Sequence, residues 1–467
     1  MDFSTILQTP QVRAVVQQSM LERAFHDALF PRQLFRAEAT PVEWPQNVGD
    51  TMIFSAPGLI PVDARPTAPG VDPTPTSYPI EQWEAKIRQY SGTIDTHMPT
   101  SITAIIDLFM RNAHQLGMQA SQTLNRIVRN VLYRSALSGH TVADGAAVAT
   151  TSLRVKRLNG FTRARNANLS GGSNVRFDLV SSSNPLAITV LDNAVATPNT
   201  VIGFTPDTPG DEYGPGVLTL GAATTNVLDR AYVLAVDRTF LVRVGGGNKV
   251  DDLTVGTDTP TLADIRTAIA HFWEQNVPEH PDQRFHCHLD PVSQAKIFND
   301  DEFQRLLTAL PDYYVYKQFA IGEMLSTVFL RNSECPVPST VVGGLTATYD
   351  DRDPFPGELY IGGVTSGGPV HRMLFTAQGG VMEYHQNLDA LITEAGITGA
   401  VADPRIVNNG IEVSSDRIQM IIRGPLNRLQ DQVATSWKFI GDWPVRTDAA
   451  TGDNSRYKRA MVIEHCE

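Results

Sequence analysis

The chain has 467 residues, a formal net charge of −12, 19% charged side chains, 35 glycines and 30 prolines. That length exceeds a single hydrophobic core and predicts two to four domains, while the acidic balance argues against a dedicated nucleic-acid binder, which concentrates Lys and Arg. Cys287, Cys335 and Cys466 stand at unrelated spacings, which argues against a disulfide framework or a four-ligand zinc site; with no 18-residue apolar run and no signal-peptide pattern, the expected compartment is cytosol-like.

In chain order, residues 1–39 hold one amphipathic segment, with Val12, Val15, Val16, Met20 and Leu21 followed by Phe25, Leu29 and Phe30. It reads as an arm that packs on its own subunit or on a neighbour. Residues 40–79 contain nine prolines, a density that blocks helix and central strand alike. The flanks alternate, through Thr51, Met52, Ile53, Phe54 and Ser55 on one side and Gln82 to Arg88 on the other. This predicts a long two-stranded hairpin with a stiff tip over 40–98, which gains its order by lying on something else.

Residues 101–137 then keep apolar side chains at helical spacing without a proline: Ile102, Ile105, Ile106, Phe109, Ala113, Leu116, Ala120, Leu124, Ile127 and Val131. The spacing predicts one rod of about 55 Å, started near Pro99 and stopped at Gly139. From 140 to 258 Thr, Val, Asn and Gly dominate and short alternating runs recur, near 175–180, 186–191, 217–220 and 232–236, the pattern of an all-β insertion. Helical patterning returns at Thr261 to Asp264 and runs through Ile265, Ile269, Phe272 and Trp273. A strand over 284–289 precedes Asp290-Pro291, a helix with Ala295, Ile297 and Phe298, and a second helix over 302–310. Strands are expected at 326–330, 358–361, 370–375, 419–423, 434–440 and 459–464, with one helix at 388–394. The chain is therefore α+β, with its β content concentrated in the insertion and the C-terminal third.

No constellation carries chemistry. His286 and His288 share a strand face around Cys287, yet no third and fourth ligand appear at a metal-binding spacing, so histidines paired with protein neighbours are expected. Cys287 has no visible catalytic partner. Gly245-Gly246-Gly247 with Lys249 lacks the rest of the P-loop pattern and reads as a hairpin turn. Asp251-Asp252, Asp300-Asp301 and Asp350-Asp351 read as turn aspartates without calcium-loop spacing. Asn168-Leu169-Ser170 matches a glycosylation acceptor, a match without meaning in the absence of a secretory signal. No catalytic, cofactor-binding or metal site is expected, and the protein reads as no enzyme. An arm, an extended hairpin and a beam-like helix together fit an assembly protein.

Three stretches carry a resemblance. Residues 82–137 begin QWEAKIRQYSGTIDTHM and continue into the long helix; RFHCHLDPVSQAKIFNDDEFQRLL follows a strand, proline, helix, aspartate, helix order; residues 420–464 contain Ser436-Trp437 and Tyr457-Lys458-Arg459-Ala460. In that order they resemble the major capsid protein of tailed bacteriophages, the Hong Kong 97 fold shared with encapsulin shells. The resemblance implies an N-terminal arm (1–39), an extended hairpin loop (40–98), a peripheral domain with its spine helix (99–139), the β-rich insertion (140–258), an axial domain (259–400) and a return to the peripheral domain (401–467).

It also implies function: a virion shell subunit, assembled in the host cytoplasm, that packs as hexamers and pentamers into an icosahedral head around double-stranded DNA. Met52, Phe54, Trp83 and Ile87 are the expected hairpin anchors on an adjacent subunit, and Asp300, Asp301, Glu302 and Arg305 the residues expected to meet at the capsomer centre. Implied partners are further copies of the chain, a portal, a separate scaffolding protein, a decoration protein at the insertion, and non-specific contact with packaged DNA; no cofactor and no membrane are implied. Lys86, the hairpin's lysine, sits on the return strand away from the tip, which argues against covalent cross-linking. An encapsulin-type compartment and another virion component such as a tail or portal protein stay open as alternatives.

Overall fold

The computed structural model describes residues 33–45, 49–57, 70, 72, 80–97, 105–165, 177–192, 195–224, 226–309, 322–336, 354–355, 358–361, 368–386, 410–415, 417–423, 432–445 and 458–466. The expected N-terminal helix and the helix at 388–394 fall outside them. The chain divides into two compact units. One comprises Met1–Met52, Glu84–Arg129 and Val381–Pro444, the other Ile53–Trp83, Asn130–Gly380 and Val445–Glu467.

The first unit is built on β23 (Gln432–Asp442), an eleven-residue strand with Ala434, Trp437 and Phe439 buried. On one side it pairs with β22 (Ile418–Arg423), which continues to β21 (Gly410–Ser415). On the other it pairs along nearly its whole length with β4 (Arg88–His97); its end pairs, on the β22 side, with β20 (Met382–His385), which runs parallel to β1 (Thr40–Glu43). The helix α1 (Ile105–Ala136) is 32 residues, about 48 Å. Within this unit it buries Ala113, Leu116, Ala120 and Leu124 as the periodicity predicts. Further on, Val128 is buried and Ile127 half-buried, because the 3.6-residue turn rotates the stripe by one position over this length. A second, polar row at i, i+4, i+8 is buried as well, Ser121, Asn125 and Arg129. The Asn125 Oδ1 accepts the backbone N–H groups of Phe35 (2.9 Å) and Arg36 (3.3 Å), which fixes the segment leading into β1.

Gly92 explains how β4 meets that helix. It lies opposite Trp437, whose indole crosses over the glycine and donates to Gln119 Oε1 on α1 at 3.4 Å. A Cβ at 92 would stand 2.5 Å from the indole nitrogen and 2.8 Å from the Gln119 oxygen.

Two sheets make up the second unit. Strands β5 (His140–Val142), β14 (Tyr232–Ala235), β10 (Leu186–Asp192), β11 (Val195–Pro206), β12 (Gly216–Leu220) and β7 (Ser152–Val155) follow each other in that spatial order, all antiparallel. A bridge between Ala143 and Val155 returns the last to the first, with Asp144 N–H on Arg154 O (2.9 Å) and Lys156 N–H on Val142 O (3.1 Å). The insertion is thus a closed six-stranded barrel, and closure removes the edges that would recruit foreign strands. Its filling is Phe161, Ile188, Val190, Val201, Leu218 and Val233 with their neighbours. Two small ribbons attach to it, β6 (Ala147–Val148) with β13 (Asn226–Val227), and β8 (Arg163–Arg165) with β9 (Phe177–Leu179).

The other sheet is mixed: β15 (Leu241–Arg243), β24 (Ala460–Cys466), β19 (Val370–Thr376), β16 (Phe285–Leu289), β18 (Thr327–Arg331) and β17 (Glu323–Met324). Strands β19 and β24 are buried at every position, as central strands covered on both faces are. The helices α2 (Leu262–Glu274), α3 (Pro291–Phe298) and α4 (Asp301–Ala309) supply Leu262, Ile265, Ile269, Phe272, Ile297 and Phe303 to its core. At the C-terminal end of α1, Gly139 adopts φ +76° and Thr239 Oγ1 donates to the Ala136 carbonyl at 2.7 Å, so the helix stops where the glycine predicts.

Several expectations change. Residues 358–361 form no strand; Tyr360 makes one bridge to Pro369, and Glu358 turns inward to an arginine. The glycine run forms no hairpin: Val244–Gly246 make a tight turn with φ +79° at Gly245 and +76° at Gly246, and β15 before it runs parallel to its neighbour β24. Strand β15 also lies inside the range read as the insertion, yet belongs to the mixed sheet. The expected hairpin flanks are β2 (Thr51–Pro57) and β3 (Ile80–Lys86), which form a two-stranded sheet of their own.

We expect Gly92→Ala to lower the stability of the first unit by about 1–3 kcal/mol, the usual cost of overpacking, while Ser91→Ala on the exposed face of β4 stays within about 0.5 kcal/mol. Denaturant unfolding followed by tryptophan fluorescence checks both.

Candidate assembly surface and the buried networks

The ribbon β2–β3 pairs with no third strand among the described residues. Along β2, Thr51, Ile53 and Ser55 are exposed while Met52 and Phe54 are half-buried. Phe54 stacks on Trp83 of β3, ring centroids 6.0 Å apart and 20° from parallel. Ile87, just beyond β3, is half-buried and donates its N–H to Asp50 O at 2.9 Å. Phe54 and Trp83 therefore come together, and Ile87 sits at the ribbon's root. Sequence reasoning missed Ile53, which is 65% exposed. The signal was available: period-two alternation puts this isoleucine on the face opposite Met52 and Phe54, where a polar residue is ordinary.

The other four candidates part company. Asp300 points inward, its Oδ2 accepting Leu262 N–H at 3.0 Å and its Oδ1 Glu302 N–H at 3.3 Å, so it serves the N-terminus of α2 together with the Thr261–Asp264 capping box. Glu302 pairs with Arg266 of α2 at the surface. Asp301 and Arg305 are exposed on α4. His286 lies 3.0 Å from Asp282 and stacks on His280, while His288 is buried against Asn332 at 3.4 Å. Cys287 faces the core, and burial pushes its thiol pKa well above the usual range, the opposite of an activated nucleophile.

Behind these surfaces lie two buried ionic networks. In the first unit Arg36 forks onto Glu383 with Nε and Nη2 both at 2.8 Å, Arg417 adds a third contact at 2.9 Å and the Trp443 indole a fourth at 3.3 Å. Burial raises the Glu383 carboxyl pKa, but Arg36 more than reverses this and holds it below the usual range. The Arg36 guanidinium also lies 5.5 Å over the Phe439 ring. In the second unit Glu464 of β24 receives Arg243 Nε on one oxygen (2.8 Å) and Arg372 Nε on the other (2.9 Å). Its carboxyl, raised by burial, is brought down by these two arginines to about 2. Arg157 Nε reaches Glu358 Oε1 at 2.7 Å. Arg243 also donates to the Tyr232 hydroxyl, which is 3.1 Å from His140 Nδ1. His140 Nε2 is 2.8 Å from the Thr239 carbonyl, an acceptor, so Nε2 holds the proton and Nδ1 accepts from Tyr232. Burial, then Arg243, lowers His140 to about 3. Sequence spacing could not pair Arg157 with Glu358, 201 residues apart. A lone charge inside an otherwise apolar run, as in VHRMLFT or AMVIEHC, was the available cue.

A second buried histidine group lies in the same unit. His465 Nε2 is 2.6 Å from Ser293 Oγ, its ring stacks on His371 at 5.5 Å, and His371 and Ser293 both meet Asp290. Burial, then His371, lowers His465 to about 4.

No family model matches the chain, and no curated protein matches it. Among solved structures it is similar to the capsid of cyanophage P-SCSP1u (10% identity, 93% of this chain and 88% of that one, TM-score 0.46). Similar too are the cyanophage Pam1 capsid asymmetric unit (10%, 92% and 89%, TM-score 0.47) and the capsid of Ralstonia phage GP4 (14%, 94% and 90%, TM-score 0.42). No described helix is long and apolar enough to cross a membrane.

His140 and His465, the two most strongly depressed histidines, weaken the second unit in acid. Their folded values of about 3 and about 4 lie below the ordinary 6.5, so the unfolded chain binds protons first as the pH falls. Stability is full above about 6.5 and declines below it, by up to about 1.4 kcal/mol per pH unit for each histidine. Glu464 adds its own loss between 4.5 and about 2. Urea unfolding at pH 7, 6, 5 and 4.5 should show this slope, and His465→Gln should make it shallower.

Proposed function

We propose that this chain is a shell subunit of Hong Kong 97 type, the major capsid protein of a tailed bacteriophage, packing as hexamers and pentamers around double-stranded DNA. One observation carries the reading. The β2–β3 ribbon is a two-stranded sheet with a stacked aromatic pair on one face and an exposed isoleucine on the other, joined directly to β4, the long strand that precedes α1. A two-stranded sheet is marginal by itself in water, and on this reading a neighbouring copy covers the exposed Ile53 through main-chain and apolar contacts. Met52, Phe54, Trp83 and Ile53 are the anchors on this reading, with Ile87 at the root. Each buried large side chain contributes about 1.5–3 kcal/mol, and repetition around a closed shell makes modest contacts sufficient.

On the same reading residues 1–39 are the arm, 40–98 the extended loop and 99–139 the spine region. The barrel range 140–258 is an insertion, 259–400 the axial domain and 401–467 the return to the periphery. Asp301, Glu302 and Arg305 are the exposed α4 side chains that meet a neighbour on this reading, and Asp300 acts by holding α2. The role is structural rather than catalytic. The partners are further copies, a portal, a separate scaffolding protein and a decoration protein at the insertion, with non-specific contact to DNA, in a virion assembled in the host cytoplasm. The net charge of −12 suits a lining that does not hold phosphate tightly.

The test is negative-stain microscopy of the chain expressed with and without a scaffolding protein. Closed shells or hexamer sheets are expected; a discrete monomer or a small ring would overturn the reading. Ile53→Thr should cut the assembled fraction several-fold in sedimentation velocity while leaving the melting temperature of the free subunit unchanged.

A further inference from the structure

The buried network of the second unit does not balance. Arg157, Arg243 and Arg372 face Glu358 and Glu464, while His140 is neutral and Tyr232 is kept protonated by burial. Among the described residues of this network three positive charges meet two negative ones, all at residues less than a tenth exposed. Hydrogen bonds are out of balance as well. Arg243 spends its groups on Glu464, the Asn248 carbonyl and Tyr232. Arg157 spends Nε on Glu358 and Nη2 on the His140 carbonyl, and Arg372 spends Nε and Nη2 on Glu464. Among the described residues, Arg157 Nη1 and Arg372 Nη1 have no hydrogen-bond partner, although both atoms are buried.

The two guanidiniums share their neighbours. The Arg157 and Arg372 guanidinium carbons lie 5.1 Å and 4.9 Å from the centroid of the same ring, Phe355. Both groups also approach the two oxygens of one carboxylate, Glu358, at 2.7 Å and 3.6 Å. We propose that the Arg157–Arg372 pair beside Phe355 binds one small monovalent anion of the chloride class. Water alone would satisfy the N–H groups but leave the excess charge in a medium of low dielectric, where an unpaired ion is strongly unfavourable. A halide accepts from both guanidiniums and cancels that charge at once. The anion joins parts distant in sequence, since Arg157 follows the first strands of the barrel and Arg372 is on a central strand of the mixed sheet.

The direct experiment is bromide substitution in crystals of the wild-type chain. Anomalous density within hydrogen-bonding distance of both Nη1 atoms is expected. Its absence, or a carboxylate of this chain seated on those atoms, would overturn the proposal. A second readout is the melting temperature in sodium chloride against sodium gluconate at fixed ionic strength. Each tenfold rise in chloride above its dissociation constant should raise the midpoint by about 2–4 °C, and identical curves in the two salts would contradict the site. Arg157→Gln should abolish the chloride dependence, whereas Arg154→Gln, on an exposed arginine paired with Asp144 and Asp207, should keep it.

Discussion

The second unit hangs on one buried carboxylate, Glu464. It lies in β24, the strand that separates β15 from β19, and it holds Arg243 and Arg372 of those two flanking strands at once. Without β24 the mixed sheet has a gap between β15 and β19, and Arg243 and Arg372 lose the carboxylate that both of them hold, a loss of about 3–5 kcal/mol for one broken buried pair. The sheet therefore depends on β24. Its neighbours in that strand, Val462 and Ile463, are fully buried, so the ionic contact and the apolar packing are formed in one step.

The first unit uses the same device with a different geometry. Glu383 gathers Arg36 from the segment before β1 and Arg417 from the turn before β22, while Asn125 of α1 takes the backbone N–H groups of Phe35 and Arg36. A segment only a few residues long is thus fixed by charge, by backbone hydrogen bonds and by stacking over Phe439. Each unit has a buried ionic network of its own, and the β2–β3 ribbon carries an exposed isoleucine. That contrast is the physical content of the shell reading.

Much of this was legible in the sequence. The long helix showed through unbroken 3.6 periodicity and Gly139, the ribbon through two alternating runs around a proline-rich segment, and the passage from β16 through α3 to α4 through Asp290-Pro291 and two short amphipathic turns. What stayed hidden depends on contacts between distant positions. Barrel closure rests on the bridge from Ala143 to Val155, and the parallel pairing of β15 with β24 joins residues more than two hundred apart. The role of Gly92 appears only once Trp437 is seen to lie across it. Asp300 looked like a surface aspartate because its partner, the start of α2, lies 38 residues earlier. Glu358 sat in a run that looked like strand, and its inward turn answers an arginine that no spacing rule connects to it.

The central claim is that the ribbon is completed by a second copy, and hydrogen exchange across residues 51–57 and 80–86 tests it most directly. Backbone amides there should exchange fast in the free subunit and become protected by several orders of magnitude in assembled particles, while β23 and β24 stay equally protected in both. Equal exchange of the ribbon in the two states would contradict the account.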